Sequence, residues 1–139
     1  MINVESVDHV VLRVADVEKV GAFYVDVLGA EWDRRRPDLG LHHLRLGTLM
    51  IDLVPVDGPL GRMGGAAPGV EGHNVDHVAF RVRPWDGERV LAHLNAHGIE
   101  GEIKSRYGAD GDGPSIYIRD PEGNGVELKG PPGMNRGDE

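Results

Sequence analysis

The chain contains no cysteine, which excludes disulfides, thiolate catalysis and cysteine-based zinc sites. Any metal must therefore be held by histidine and carboxylate, ligands that favour a catalytic or borderline site over a closed structural one. Basic charge is also scarce: 15 Lys and Arg stand against 23 Asp and Glu, a net charge of −8. A nucleic-acid surface needs clustered Lys and Arg, and the one basic run, Arg34-Arg35-Arg36, reads as a solvated strand end. Long apolar runs are missing too. None reaches the roughly 18–20 residues that cross a bilayer, and the first residues lack the basic start and apolar middle of a leader. The expectation is a cytoplasmic protein whose partner is a small molecule, with no role for nucleic acid or membrane.

What the chain does have is an internal repeat. Val7-Asp8-His9-Val10-Val11-Leu12-Arg13-Val14 returns 68 residues later as Val75-Asp76-His77-Val78-Ala79-Phe80-Arg81-Val82, identical at six of eight positions. A fixed-period echo says that one structural unit is used twice. Alternate apolar residues are all that a half-buried strand requires, so packing explains the valines but not the repeated imidazole.

The pattern predicts βαβββ twice. A strand over 7–14 is followed by Asp16 as N-cap, then Val17, Val20, Phe23, Tyr24, Val27 and Leu28 at helical spacing, with Gly29 as the left-handed stop. Strands follow near 31–36, 41–46 and 49–55. The second copy has a strand at 75–82 and a helix near 86–97 that turns Val90, Leu91 and Leu94 inward. Its remaining strands fall near 101–106, 114–119 and 125–129. At 139 residues this makes a single α+β domain over 1–139, since domains commonly run ~100–200 residues. Its modules, 4–56 and 73–130, pair into a cupped mixed sheet. The segment 57–72, with six glycines and two prolines, reads as a linker able to fold over a site as a lid. The tail 131–139 reads as disordered. Exposed module edges in such an architecture predict a homodimer.

Period two sorts the side chains by face. Val10, Leu12 and Val14 oppose His9, Val11 and Arg13; Val78, Phe80 and Val82 oppose His77, Ala79 and Arg81. The more apolar face belongs against the helix, which sends both histidines to the concave side. On the closing strands the same logic puts Asp52 and Glu127 there. His9, Asp52, His77 and Glu127 form a two-nitrogen, two-oxygen set suited to a divalent Zn, Ni, Mn, Co or Fe(II) ion. Asp52 has the shorter reach, so both a four-ligand site and a three-ligand site with Asp52 acting through water stay open. Open positions on such an ion permit Lewis-acid chemistry on a carbonyl, enediol or catecholate. Local capping by each histidine is the alternative.

Those motifs, with Phe23-Tyr24 to Val27-Leu28-Gly29 and Asp120-Pro121-Glu122-Gly123-Asn124 running to Glu127, resemble the vicinal oxygen chelate superfamily of glyoxalase, bleomycin-resistance and ring-cleaving dioxygenase domains. The resemblance covers residues 4–130. It implies that His9, Asp52, His77 and Glu127 are the metal ligands, although glyoxalase I more often has Glu at the position of Asp52. The Asp-Pro-Glu-Gly-Asn turn would place Glu127 on the last strand.

The choice among activities is less direct. Tyr117, ten residues before Glu127, matches the active-site tyrosine of extradiol dioxygenases and could bind or protonate an oxyanion. The further histidine of those enzymes is absent, because Gly108 stands there; His43 or His42 is the candidate substitute. The loop from Arg106 to Ser115 resembles a glyoxalase-domain branch that includes virulence proteins, and the anion-handling loop of fosfomycin-resistance thiol transferases, whose catalytic threonine would fall at Val11. Arg13, Arg81, Arg119 and Lys129 on the concave face point to an anionic substrate, with His43 and Ser115 as further contacts. The expected function is a metal-dependent lyase, isomerase or dioxygenase in which Asp52 or Glu127 moves a proton and Tyr117 assists. The rival is a metal-free protein that sequesters a small molecule, like the bleomycin-resistance group.

Overall fold

The computed structural model describes residues 1–133. The chain divides into two compact units, Met1–Asn74 and Val75–Glu139, and each follows the order βαβββ. The first runs β1 (His9–Val14), α1 (Val17–Asp26), β2 (Glu31–Arg36), β3 (Leu41–Leu46) and β4 (Leu49–Pro55). The second runs β5 (His77–Arg81), α2 (Gly87–Ala96), β6 (Ile103–Gly108), β7 (Gly111–Arg119) and β8 (Gly125–Lys129). The strands lie in the orders β1-β4-β3-β2 and β5-β8-β7-β6. In each sheet the first strand of the unit pairs in parallel with its last, and the other pairings are antiparallel. The class is α+β, with two four-stranded mixed sheets and two helices.

Capping explains where both helices start. Asp16 accepts the Lys19 amide at 3.0 Å and Asp86 accepts the Arg89 amide at 3.2 Å, each satisfying a donor that has no partner within the helix. Gly29 and Gly98 take positive φ beyond the helix ends, as a left-handed stop requires. The first core gathers Leu12, Val14, Val20, Phe23, Tyr24, Leu44, Ile51 and Leu53, all buried. Gly21 costs α1 helix propensity, about 1 kcal/mol relative to Ala, but a Cβ there would stand 2.2 Å from the Trp32 ring. On α2 only Leu94 of the three expected inward residues is fully buried; Val90 and Leu91 are half-buried. The basic run is absorbed on β2, where Arg35 lies over the Trp32 ring and pairs with Glu18, and Arg36 pairs with Asp38.

Strands β1 and β5 both start at their histidines, two residues later than expected, and other segments differ more. Strands β6 and β7 reach further toward each other than the sequence suggests, closing as a hairpin in which Gly108 pairs with Gly111. Glycine and proline mask the strand signal there, yet contact demands the glycine: a Cβ on Gly113 would stand 2.7 Å from the Pro131 carbonyl oxygen. The glycines near 61–64 are likewise packing residues. A Cβ on Gly61 would meet the Pro55 carbonyl oxygen at 1.9 Å, and one on Gly64 would meet Arg13 Nε at 2.5 Å. Of the tail expected to be disordered, residues 134–139 lie outside the described residues, while the Gly133 amide donates to Asp112 O at 3.3 Å.

Candidate functional site

In the first unit His9 stands at the start of β1 on the exposed face, and its Nδ1 donates to Asp8 Oδ1 at 2.7 Å. That hydrogen bond, then the charge of Asp52, raises the pKa of His9. Asp52 is buried on β4, where Val11 is its partner on β1 and His43 its partner on β3. His43 Nδ1 donates to Asp52 Oδ1 at 2.6 Å.

The second unit repeats this register with different chemistry. His77 Nδ1 donates to Asp76 Oδ1 at 2.6 Å, which lowers the Asp76 pKa. His77 Nε2 lies 3.1 Å from Glu127 Oε1. Glu127 is buried on β8 between Ala79 of β5 and Tyr117 of β7, and Ser115 Oγ donates to its Oε2 at 2.7 Å. The Tyr117 ring meets the His77 ring edge-on at 5.5 Å between centroids. Burial, then the charge of Glu127 and a hydrogen bond to it, raises the Tyr117 pKa. The phenol is thus a proton donor at neutral pH.

The donors fit a divalent ion locally. A ligating histidine commonly gives its other ring N–H to a carboxylate, which fixes ring and tautomer, and Asp8 and Asp76 do this for both histidines. Two ligands bound at about 2.0–2.2 Å and at right angles stand about 3 Å apart, close to the spacing between His77 Nε2 and Glu127 Oε1. Among the described residues, no group of three or more His, Asp or Glu able to hold an ion is gathered. The aspartates were legible: each precedes its histidine, and the repeat keeps both.

The candidate substrate contacts divide. Tyr117 and Arg119 line an open cleft of about 550 Å³ in the second unit, together with His77, Asp76, Glu100 and Ile99. Arg119 Nη1 donates to Gly123 O at 2.7 Å. Arg81, exposed, pairs with Asp110 at 2.7 Å. Arg13 corrects the expectation of an anion contact: Nη1 donates to Gly64 O and Ala66 O, and Nη2 to Gly61 O and Gly65 O, at 2.8–3.1 Å. Those four bonds use all its terminal N–H groups. Ser115 is also corrected, being fully buried and bonded to Glu127. Lys129, buried, reaches Arg106 O at 2.6 Å, Gly113 O at 3.3 Å and Ser115 Oγ at 3.2 Å. A Cβ on Gly108 would stand 2.5 Å from Lys129 Cε, the far end of that flexible side chain.

Fold, register and paired histidines place the chain in one class of protein. It belongs to the Glyoxalase/Bleomycin resistance protein/Dioxygenase superfamily, whose model matches residues 6–128. Virulence protein STM3117 from Salmonella typhimurium is 25% identical, with a TM-score of 0.79 over 94% of this chain and 99% of that one. Lactoylglutathione lyase from Agrobacterium tumefaciens is also 25% identical, with a TM-score of 0.66 over 92% and 95%. A variant of the fosfomycin resistance protein FosX from Listeria monocytogenes, complexed with Mn(II) and 1S,2S-dihydroxypropylphosphonic acid, shares the fold at 20% identity. Its TM-score is 0.62 over 93% and 90%. No curated protein matches the chain in sequence. Among the described residues no helix is long and apolar enough to cross a membrane.

Proposed function

We propose that the protein is a divalent-metal-dependent enzyme acting on a small, anionic, oxygen-bearing molecule, with lyase or isomerase chemistry as the first reading. The observation that carries it is the treatment of the two repeated histidines. Each has Nδ1 tied to the preceding aspartate, which leaves Nε2 with its lone pair for an ion, and each unit adds one buried carboxylate. The proposed ligands are His9, Asp52, His77 and Glu127, the set that the family resemblance implies. When bound, such an ion supplies Lewis acidity to adjacent substrate oxygens.

The chain's own groups have separate work. Arg119, at the cleft beside His77, offers its remaining guanidinium donors to an anionic substituent. Tyr117, protonated at neutral pH, donates to an oxyanion as charge develops there. Glu127 or Asp52 accepts a proton from carbon or returns one. Ring cleavage is the weaker arm, because Lys129 fills the space beside Gly108 and no histidine occupies it. The reading includes a homodimer in the cytoplasm.

Elemental analysis of protein purified without added metal, followed by titration with Mn(II), Ni(II), Fe(II) and Zn(II), tests the core of this proposal. About one ion per chain is expected, with binding abolished in His77→Ala. A chain that refuses all four ions overturns this reading in favour of the metal-free sequestering one. Hemithioacetal and catechol screens of the loaded protein then separate lyase from dioxygenase.

A further inference from the structure

On β4, Asp52 lies between two histidine-bearing strands, β1 on one side and β3 on the other. It faces Val11 directly, and His9, two residues before Val11, lies diagonally from it on the same side of the sheet. His9 feels its charge. On the opposite side His43, with its side chain 18% exposed, gives Nδ1–H to Asp52 Oδ1 at 2.6 Å. One of the two carboxylate oxygens is therefore committed. At the register-equivalent carboxylate of the second unit, Ser115 donates to Glu127 Oε2, and Oε1 is the oxygen 3.1 Å from His77 Nε2.

We propose that His43 is a positioning residue that holds Asp52 by Oδ1 and so presents Oδ2, alongside His9, as a direct ligand. This rests on the metal-dependent reading above and deepens it, because a freely rotating Asp would otherwise lose its short reach to rotamer choice. His43 is not itself a ligand in this arrangement. Ligating carboxylates are commonly hydrogen-bonded in this way, and loss of such a partner typically weakens metal binding about 10–100-fold.

The test uses the full chain and Mn(II) or Co(II) alone. Affinity is measured by chelator competition for wild type, His43→Phe and His43→Gln. The Phe variant is expected to bind about 10–100-fold more weakly, while Gln, whose carboxamide N–H can still donate to Oδ1, recovers most of that loss. Proton NMR of the Co(II) protein should show two strongly shifted, exchangeable imidazole N–H signals in both wild type and His43→Gln. Three signals in wild type, or equal losses in Phe and Gln, would make His43 a ligand and overturn the proposal. Unchanged affinity in a folded His43→Phe would overturn it as well. Failure of wild type to bind any ion removes the underlying reading itself, a result distinct from those three.

Discussion

The two halves of the repeat set the same parts in the same register and join them differently. In the second unit imidazole and carboxylate stand 3.1 Å apart; in the first, His9 and Asp52 are linked through charge, while Asp52 bonds His43. Two local features account for this. Gly125 is the register partner of His77, and a Cβ there would stand 2.8 Å from His77 Cβ, whereas His9 faces Met50. Glu127 also has one more methylene than Asp52. The lesson is that a duplicated frame keeps the backbone relation between donor positions, while side-chain length and the residue opposite decide whether donors meet.

The comparison breaks first at the carboxylates. Glu127→Gln should lower Mn(II) affinity by well over about 100-fold, beyond the loss typical of an outer hydrogen-bond partner, and Asp52→Asn by about 100-fold, no less than the loss of its partner His43. Titration followed by the EPR signal of free Mn(II) measures both. Equal losses would show that the closer contact in the second unit carries no extra weight.

Much of this was legible beforehand, and the limits have physical causes. Strands β2, β3, β4 and β8 were readable to the residue, because alternation and turns bound them. The side expected for His9, His77, Asp52 and Glu127 rests on period two alone. The partner of each carboxylate was not readable, because His43 meets Asp52 only through cross-strand register, and a one-residue slip would turn the imidazole away. The role of Arg13 was equally hidden. Its partners are backbone carbonyls, which carry no residue signature, in a glycine-rich stretch that composition reads as a linker.

Arg13 and Arg81 occupy the same place in the repeat and sharpen the contrast in stability rather than binding. The first donates to four carbonyls of the 61–66 segment; the second makes an exposed ion pair with Asp110. Arg13→Ala should destabilise by about 2–3 kcal/mol, as for loss of hydrogen bonds from a charged donor. Arg81→Ala should cost under about 1 kcal/mol, as exposed pairs do. Urea midpoints of the metal-free protein measure both. A smaller loss for Arg13 than for Arg81 would mean that the 61–66 segment holds itself.

The smallest effect concerns His42, which is buried on β3 and has Ile116 as its register counterpart on β7. Burial, then the neighbouring Arg35 charge, lowers its pKa below the ordinary 6.5. Its Nδ1 accepts the Arg35 Nε–H at 3.1 Å, which requires the neutral ring. Because the folded state binds fewer protons here than the unfolded chain, this contribution is fully present above pH 6.5 and is lost as pH falls from there toward the folded pKa. Melting temperatures of metal-free wild type and His42→Ile, compared from pH 7.5 to 5, should show a shallower acid loss in the variant. Parallel curves would mean that the ring titrates alike in both states, and that the apolar counterpart in the second unit confers no acid resistance.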